Sequence, residues 1–356
     1  MSSLILNIIH LGPGKVGKIF IKQILKKKSI LEKEYSIKIK FIGIFNSKKG
    51  LFNIGGINES ILKKIAVSKN IETYLKNINI RNFFDDVLSC SHFVVIDTSA
   101  SEDTFDVLKK SLKKGSFAIL SNKKSLTVDY SKFKELMNFK KQIFFETTVG
   151  AGLPIISTIK ELTETGDEIL HIQGCLSGTL GFIFDLLQKG EKFSRAVELA
   201  KKNCFTEPDP RDDLGGLDVA RKALIISRLI GRQINLKDIK TQSLYPNELH
   251  GIGVNDFLKK IAIIDSYYHN LIIKARKNNQ VLRYIAHVEK HSTTVGIKNV
   301  LLKSDMGSLE GPDNIIIIKT KRYFNNPLVI KGPGAGPEVT AAGVFGDLLK
   351  IIKMMK

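Results

Sequence analysis

The sequence predicts an α/β protein in which a domain built on a parallel sheet with helical crossovers is joined to a mixed α+β domain. Three observations support this fold class. From Leu4 to about Gly150, short apolar β-rich runs alternate with longer amphipathic runs, as in parallel sheets whose strands are connected by helices. A glycine-rich turn directly follows the first of these strands. After Gly152 a helical pattern comes first, and most of the strands follow later and in succession.

The first part of the chain contains five predicted strands and three predicted helices. The strands are expected at 4–12, 37–46, 92–100, 116–122 and 142–148. The helices are expected at 16–28, 101–115 and 129–140, and the second of them closes on Gly115.

The second part is predicted to form an open sheet with helices on one face. Helices are expected at 153–166, at 177–190 with Ser177 as cap, from Ser194 onward and at 217–231. Strands are expected at 168–176, 281–289, 293–301 and 314–320. A glycine turn and one last helix end the chain. We therefore expect one domain over 1–150, completed by the last helix within 331–356, and a second domain over 151–330.

Composition excludes several classes of protein. The chain has 356 residues, 43% of them hydrophobic, and a net charge of +20, and no apolar run approaches the roughly 20 residues that a membrane span requires. The N-terminal segment has no basic leader and no cleavage site, so it is interpreted as a buried strand. The lysines are scattered over predicted helix faces without aromatic neighbours, which does not favour nucleic acid as a partner.

The cysteines and histidines do not suggest a disulfide framework or a transition-metal site. Cys90, Cys175 and Cys204 are isolated and odd in number, which favours a reducing cytoplasm. The seven histidines lack the spacing of zinc ligands, so each is interpreted as a packing or surface residue.

The turn after the first strand has the pattern G-x-G-x-x-G. Gly12 allows the tight turn, Gly14 lets a pyrophosphate approach the backbone, and Gly17 lets the following helix pack on the strand. With Lys15 and Val16, these glycines are the predicted binding loop of a dinucleotide in a Rossmann-type domain. Pro13 removes one N–H group that would otherwise be available to a phosphate.

The ends of the other predicted strands refine this site. An NAD site usually has an acidic residue at the end of the second strand, but here the residues are Asn46, Ser47 and Lys48, followed by a second lysine. We therefore expect NADP(H) to be preferred over NAD(H), because a lysine would attract the 2′-phosphate. Three further residues at strand ends are candidate contacts of the cofactor, namely Thr98, Ser99 and Lys123, and Lys123 is also a candidate substrate contact.

The segment 206–222 contains five carboxylates in an otherwise basic chain. Asp218 and Lys222 are four residues apart, so on a helix they lie on one face and form a favourable ion pair. Gly215 and Gly216 lie where a helix would favour alanine, which suggests backbone that must admit a close neighbour.

Four segments together resemble homoserine dehydrogenase. They are ETTVGAGLPII (146–156), GCLSGTLGFIF (174–184), EPDPRDDLGGLDVARK (207–222) and GPGAGPEVTAAGVFGDLL (332–349). The resemblance covers nearly the whole chain and is strongest to the dehydrogenase half of bifunctional aspartokinase–homoserine dehydrogenases. Since no kinase sequence precedes this chain and no regulatory ACT domain follows it, we expect either an enzyme that stands alone or a separate aspartokinase as a partner.

The resemblance implies NAD(P)-linked interconversion of L-aspartate 4-semialdehyde and L-homoserine by a homodimer. It implies that Lys222 is the proton donor, that Asp218 binds substrate and orients Lys222, and that Glu207 and Asp213 bind substrate. It further implies a cofactor contact at Gly334. The ETTVGAGL segment matches the sodium site of the family, and the implied ligands are Glu146, Val149, Ala151 and Leu153.

Two alternatives stay open on the sequence alone. One is a catalytically silent dinucleotide sensor, against which the intact Glu207, Asp218 and Lys222 argue. The other is aspartate-semialdehyde dehydrogenase, which acts through a cysteine thioester. Cys90 precedes a buried strand, Cys175 lies at a predicted strand end and Cys204 closes a helix, so none is interpreted as a nucleophile with a partner histidine.

Overall fold

The computed structural model describes residues 4–76 and 92–355. The chain divides into two compact units, of which the first comprises Met1–Gly152 and Gly336–Lys356 and the second Leu153–Ala335. The sequence had placed residues 331–335 with the first domain. This boundary is wrong because Lys331, Gly332 and Pro333 continue an edge strand of the sheet of the second unit.

The described part of the first unit contains a six-stranded sheet. Its strands are β1 (Leu4–Leu11), β2 (Ile37–Phe45), β3 (Gly50–Phe52), β4 (Phe93–Asp97), β5 (Phe117–Leu120) and β6 (Ile143–Phe144). Their order is β3-β2-β1-β4-β5-β6, and every neighbouring pair is parallel except β2 and β3. This is the strand order of the doubly wound dinucleotide-binding fold, so the predicted fold class is confirmed for this unit.

Helices cover this sheet. They are α1 (Lys15–Tyr35), α2 (Glu59–Val67), α3 (Thr104–Lys113), α4 (Tyr130–Met137) and, from the end of the chain, α12 (Pro337–Met354). One core joins β1, β2 and β4 to α1 and α12, and its members include Phe20, Ile24, Val344, Leu348 and Ile352. The last helix therefore completes the core of the first unit.

The second unit also contains a six-stranded sheet among its described residues. Its strands are β7 (Ile169–Cys175), β8 (Lys240–Thr241), β9 (Gln280–Glu289), β10 (Thr293–Leu301), β11 (Asp313–Thr320) and β12 (Leu328–Pro333). Their order is β12-β11-β7-β9-β10-β8, and all pairs are antiparallel except β10 with β8.

The described helices of the second unit include four that the sequence predicted and three that it did not. They are α5 (Ile155–Glu164), α6 (Gly178–Gln188), α7 (Phe193–Lys202), α8 (Arg211–Leu214), α9 (Leu217–Leu229), α10 (Val254–Lys260) and α11 (Asp265–Lys277). Phe193 of α7 stacks on Tyr268 of α11 with ring centroids 3.9 Å apart. In the described residues, no helix has both the length and the apolarity needed to cross a bilayer.

Candidate functional site

The glycine turn after β1 has room for a ligand at one position and is closely packed at two others. Gly12 has a φ of +80°, and a Cβ there would lie 2.4 Å from the backbone N of Ser99. A Cβ at Gly17 would lie 2.6 Å from Cε1 of His10, whereas a Cβ at Gly14 would meet nothing within 4 Å. The outer glycines therefore serve packing, and Gly14 leaves open space at the start of α1.

The N-terminus of α1 has the properties of an anion site. Gly14 is its cap residue and has no side chain that could accept a hydrogen bond from the first turn, and that turn contains no acidic residue. The positive end of the helix dipole at Lys15 and Val16 is thus left for a ligand. Together with the space above Gly14, these residues fit the pyrophosphate of a dinucleotide.

Hydrogen bonds from residues at the end of β4 fix the glycine turn. The Thr98 hydroxyl lies 2.6 Å from the carbonyl oxygen of Gly12 and 2.9 Å from Nε2 of His10. The backbone N of Ser99 donates to Oδ1 of Asp97 at 2.9 Å. Thr98 and Ser99, which the sequence selected as cofactor contacts, thus have a structural role in shaping the loop.

Buried polar groups that were not among the predicted site residues lie beneath this loop. His10 is fully buried, and burial lowers its pKa from 6.5 to about 3, so the ring is neutral. The amide of Asn122 donates to Asp97 Oδ2 at 3.1 Å and to the carbonyl oxygen of Ser101 at 2.7 Å. One signal was available, because His10 lies in a predicted strand whose other residues, apart from Asn7, are apolar.

A tight turn follows β2 at the same edge of the sheet. Oδ1 of Asn46 accepts hydrogen bonds from the backbone N–H groups of Lys48 and Lys49 at 2.8 and 2.6 Å. Lys49 also forms an ion pair with Glu72 at 3.1 Å, while the neighbouring Ser47 and Lys48 are exposed. Lys48 is therefore the better placed of the two lysines to meet a ligand from solvent.

The carboxyl ends of β1, β2, β4 and β5 are adjacent in the sheet, so the predicted cofactor residues that follow them come together at one edge. Lys123 comes directly after Asn122 at the end of β5 and precedes a short 3-10 helix, Lys124–Leu126. Ligands of parallel α/β sheets bind at this edge.

In the second unit, α9 carries the predicted pair of catalytic residues. Nζ of Lys222 lies 2.9 Å from Oδ2 of Asp218, one helical turn earlier, and donates to the carbonyl oxygen of Leu176 at 2.5 Å. Lys222 is only 8% exposed, whereas the side chain of Asp218 is 46% exposed. A buried ammonium group is thus held by a carboxylate and by the backbone that follows β7.

The glycines before α9 make room for a side chain of the protein itself. Gly216 has a φ of +74°, and a Cβ there would lie 1.9 Å from the hydroxyl of Tyr284. That hydroxyl donates to the carbonyl oxygen of Gln242 at 2.6 Å. The close neighbour that the sequence pattern implied at Gly216 is therefore Tyr284.

The loop before α8 presents Glu207 and is fixed by its other charges. Oδ2 of Asp213 accepts a hydrogen bond from the backbone N of Glu207 at 2.8 Å. Arg211 pairs with Asp209 at 2.6 Å and donates to the carbonyl oxygens of Leu249, His250 and Ile252. Arg211 and Asp209 therefore hold the loop, while the side chain of Glu207 stays exposed.

Comparison with known proteins decides the family. The homoserine dehydrogenase family model matches residues 154–349. Homoserine dehydrogenase of Saccharomyces cerevisiae is 36% identical over 100% of both chains. This chain belongs to the homoserine dehydrogenase family. Bifunctional aspartokinase/homoserine dehydrogenase 2 of Arabidopsis thaliana is 36% identical over 96% of this chain, which spans 38% of the length of that relative.

Solved structures agree with this fold. A Candida auris protein of unknown function has a TM-score of 0.89 at 30% identity, and 98% of each chain is covered. A putative homoserine dehydrogenase of Archaeoglobus fulgidus has a TM-score of 0.78 at 22% identity, with 98% of this chain and 99% of that chain covered. The second likeness shows the fold alone.

The segment for which the sequence resemblance implied a sodium site contains one carboxylate, and this carboxylate is paired with a lysine. Oε2 of Glu146 lies 3.1 Å from Nζ of Lys350, which also contacts Asp347 at 2.9 Å. Burial raises the pKa of Asp347.

The other implied ligands of sodium lie in the turn after Glu146. Val149 is fully buried, and Ala151 has a φ of +52°, directly after Gly150 at +75°. Leu153 belongs to the second unit, and its carbonyl oxygen accepts a hydrogen bond from Ile155 N at 2.8 Å. In the described part of the chain, no group of three or more His, Cys, Asp or Glu residues could hold a metal ion.

The sequence had assigned Gly334 to the first domain, but the structure places it in the second unit. A Cβ there would lie 1.8 Å from Cγ of Asn314, so glycine is required at this position by internal packing. Its predicted contact with the cofactor stays a prediction.

Of the two cysteines that the structure describes, Cys175 does not suit a thioester mechanism. Cys175 is buried, and burial raises its pKa to about 12, which keeps the thiol protonated and unreactive. Cys204 is exposed and follows the end of α7. Cys90 lies outside the described residues.

Proposed function

We propose that this chain catalyses the reversible, NAD(P)-linked reduction of L-aspartate 4-semialdehyde to L-homoserine, on the route to threonine, methionine and isoleucine. The observation that carries the proposal is the buried ammonium group of Lys222, fixed by Asp218 and by the carbonyl oxygen of Leu176. Family membership and the dinucleotide loop after β1 support the same reaction.

The residues on α9 suit the chemistry of carbonyl reduction. A bound nicotinamide cofactor supplies the hydride from C4 of its ring. The aldehyde oxygen gains negative charge as it is reduced, and the ammonium group of Lys222 stabilises this charge and donates the proton. Asp218 and the Leu176 carbonyl keep Nζ of Lys222 in one position, so little reorganisation is needed during the reaction.

The substrate is an amino acid, and the loop before α8 has the charges to recognise one. The ammonium group of the substrate would be attracted by the carboxylates of Glu207 and Asp218, and Asp213 lies beside Glu207, from whose backbone N it accepts a hydrogen bond. Glu207 is exposed to solvent and is therefore accessible to a ligand. Lys123 is proposed as a contact of the substrate or of the nicotinamide ribose.

The proposed cofactor is NADP(H), in preference to NAD(H). The turn after β2 has no acidic residue that would repel a 2′-phosphate, and Lys48 is exposed there. A hyperthermophilic archaeal homoserine dehydrogenase has been crystallised in complex with NADPH, and its likeness to this chain, a TM-score of 0.75 at 23% identity, is one of fold.

Several finer assignments rest on the family and belong to the same proposal. They are a structural sodium ion at Glu146, Val149, Ala151 and Leu153, a homodimer and a cytoplasmic location. The bifunctional relatives, in which aspartokinase and homoserine dehydrogenase share one chain, support an aspartokinase as a partner.

The direct test is an absorbance assay of homoserine-dependent reduction of NADP⁺, applied to the wild type and to Lys222→Ala. Loss of a positioned proton donor is expected to lower turnover by roughly 10²- to 10⁴-fold. Binding of NADPH, measured by fluorescence, is expected to persist. Lys202→Ala, which removes an exposed lysine at the end of α7, is the matched control. Near-normal turnover of Lys222→Ala would contradict the assignment.

A further inference from the structure

The hydroxyl group of Thr179 faces two oxygen atoms but has only one hydrogen. Thr179 lies in the first turn of α6, and its Oγ1 is 2.5 Å from the carbonyl oxygen of Phe205 and 3.0 Å from Oδ1 of Asp213. A carbonyl oxygen can only accept, so the shorter contact takes the hydrogen of Thr179. The contact with Asp213 is then a hydrogen bond only if the donor is Asp213.

The surroundings of Asp213 favour a proton on its carboxyl group. Burial is the largest cause that raises its pKa, and it outweighs the hydrogen bond from the backbone of Glu207, which lowers the pKa; the negative charges of Glu207 and Asp218 raise it further. Its second oxygen, Oδ2, accepts the N–H group of Glu207 at 2.8 Å, as either protonation state allows. Among the charged groups nearby, Lys222 is paired with Asp218 at 2.9 Å.

We infer that Asp213 is protonated on Oδ1 in the substrate-free protein, where it donates to Thr179 and accepts from the backbone of Glu207. These three residues, Thr179, Asp213 and Glu207, form what we name the Asp213 clamp. The clamp ties the first turn of α6 to the loop that presents Glu207. Asp213 is then a positioning residue, and Glu207 and Asp218 supply the negative charge that a substrate ammonium group meets.

This inference rests on the proposed function only for the identity of the substrate. An asparagine has the same shape as a protonated aspartate, since its NH₂ group can donate to Thr179 while its oxygen accepts from Glu207. A variant with asparagine therefore separates the clamp from the negative charge of an ionised carboxylate.

The kinetic test compares Asp213→Asn with Asp213→Ala. We expect Asp213→Asn to keep KM for homoserine within about threefold of the wild type, and Asp213→Ala, which loses two hydrogen bonds, to raise it on the order of tenfold. Asp212→Asn, which changes the exposed neighbouring carboxylate, is the matched control. An equal rise of KM in Asp213→Asn and Asp213→Ala would show that the charge matters and would overturn the inference.

A second measurement does not depend on activity. In protein labelled with ¹³C at the aspartate carboxyl groups, the resonance missing from Asp213→Asn reports Asp213. We expect its titration midpoint to lie above the ordinary value of 3.8 and above the pH of the activity assay. A midpoint below the pH of the assay would overturn the inference. If homoserine supports no reduction of NADP⁺, the proposed function fails, and the titration still decides the protonation of Asp213.

Discussion

His10 shows how one buried polar side chain organises the loop beneath a cofactor site. Its ring lies under the α-carbon of Gly17 and is within hydrogen-bonding distance of Thr98, which in turn contacts the carbonyl oxygen of Gly12. The ring is neutral because burial disfavours its charged form. A single side chain thus links the end of β4 to two glycines of the dinucleotide turn.

The buried histidine predicts a characteristic dependence of stability on pH. The unfolded chain binds a proton at His10 below pH 6.5, whereas the folded protein binds one only below about pH 3. The stabilisation is therefore complete above pH 6.5 and is lost as the pH falls, by up to about 1.4 kcal/mol per unit. We expect the difference in free energy of unfolding between wild type and His10→Gln to shrink with this slope in urea titrations. A difference that does not vary between pH 6.5 and 4 would mean that His10 is charged in the fold.

At the scale of elements, α9 is the part of the molecule whose position decides the proposed chemistry. Its spacing of Asp218 and Lys222 could be predicted, because residues four apart on a helix lie on one face. The contact of Lys222 with the carbonyl oxygen of Leu176 could not be predicted because it depends on where β7 ends in space. Gly216, with its positive φ above Tyr284, sets where α9 begins.

Replacing Gly216 with alanine is expected to destabilise the protein and to impair turnover. A Cβ at this position would overlap the Tyr284 hydroxyl, in addition to the strain of about 1–2 kcal/mol that a positive φ imposes on alanine. Gly231, just after the same helix, also has a positive φ but has open space around it. We expect Gly216→Ala to lower the free energy of unfolding by clearly more than Gly231→Ala. Equal losses in urea titrations would show that the contact with Tyr284 is unimportant.

The turn after β2 is the element that should select the cofactor. Lys48→Glu places a carboxylate where a 2′-phosphate is expected, so the ratio of kcat/KM for NADPH to that for NADH should fall by roughly tenfold or more. Lys33→Glu, an exposed change in the last turn of α1, serves as the control for net charge. A wild type that prefers NADH, or an unchanged ratio in Lys48→Glu, would refute the role of this turn.

At the scale of the whole molecule, the sequence was more informative about the first unit than about the second. Long apolar strands and a glycine turn identified the parallel sheet. In the second unit, α11 was missed because only Tyr268 and Ala275 among its residues are buried, so it has no clear apolar stripe. The strand β12 was missed because it contains Gly332 and Pro333, which are tolerated there only because β12 is an edge strand.

The proposed homodimer is also a property of the whole molecule. Sedimentation equilibrium of the purified chain should give twice its mass of 39.7 kDa, and the mass should stay constant on dilution through the concentrations used for the activity assay. If the protein has the mass of one chain and is fully active, the proposed dimer is contradicted. A mass larger than that of two chains would point to association of dimers.

The contribution of α12 to the first core has a consequence for the order in which the protein is synthesised. Val344, Leu348 and Ile352 fill a core whose other members, such as Phe20 and Ile24, leave the ribosome more than 300 residues earlier. The whole second unit is translated before the first can close its core. In a nascent chain, the apolar side of α1 that packs against α12 would therefore stay exposed for most of the synthesis. This exposed surface is a binding site for chaperones. Nonsense mutations in the last twenty residues should disable the dinucleotide loop while leaving the second sheet able to form.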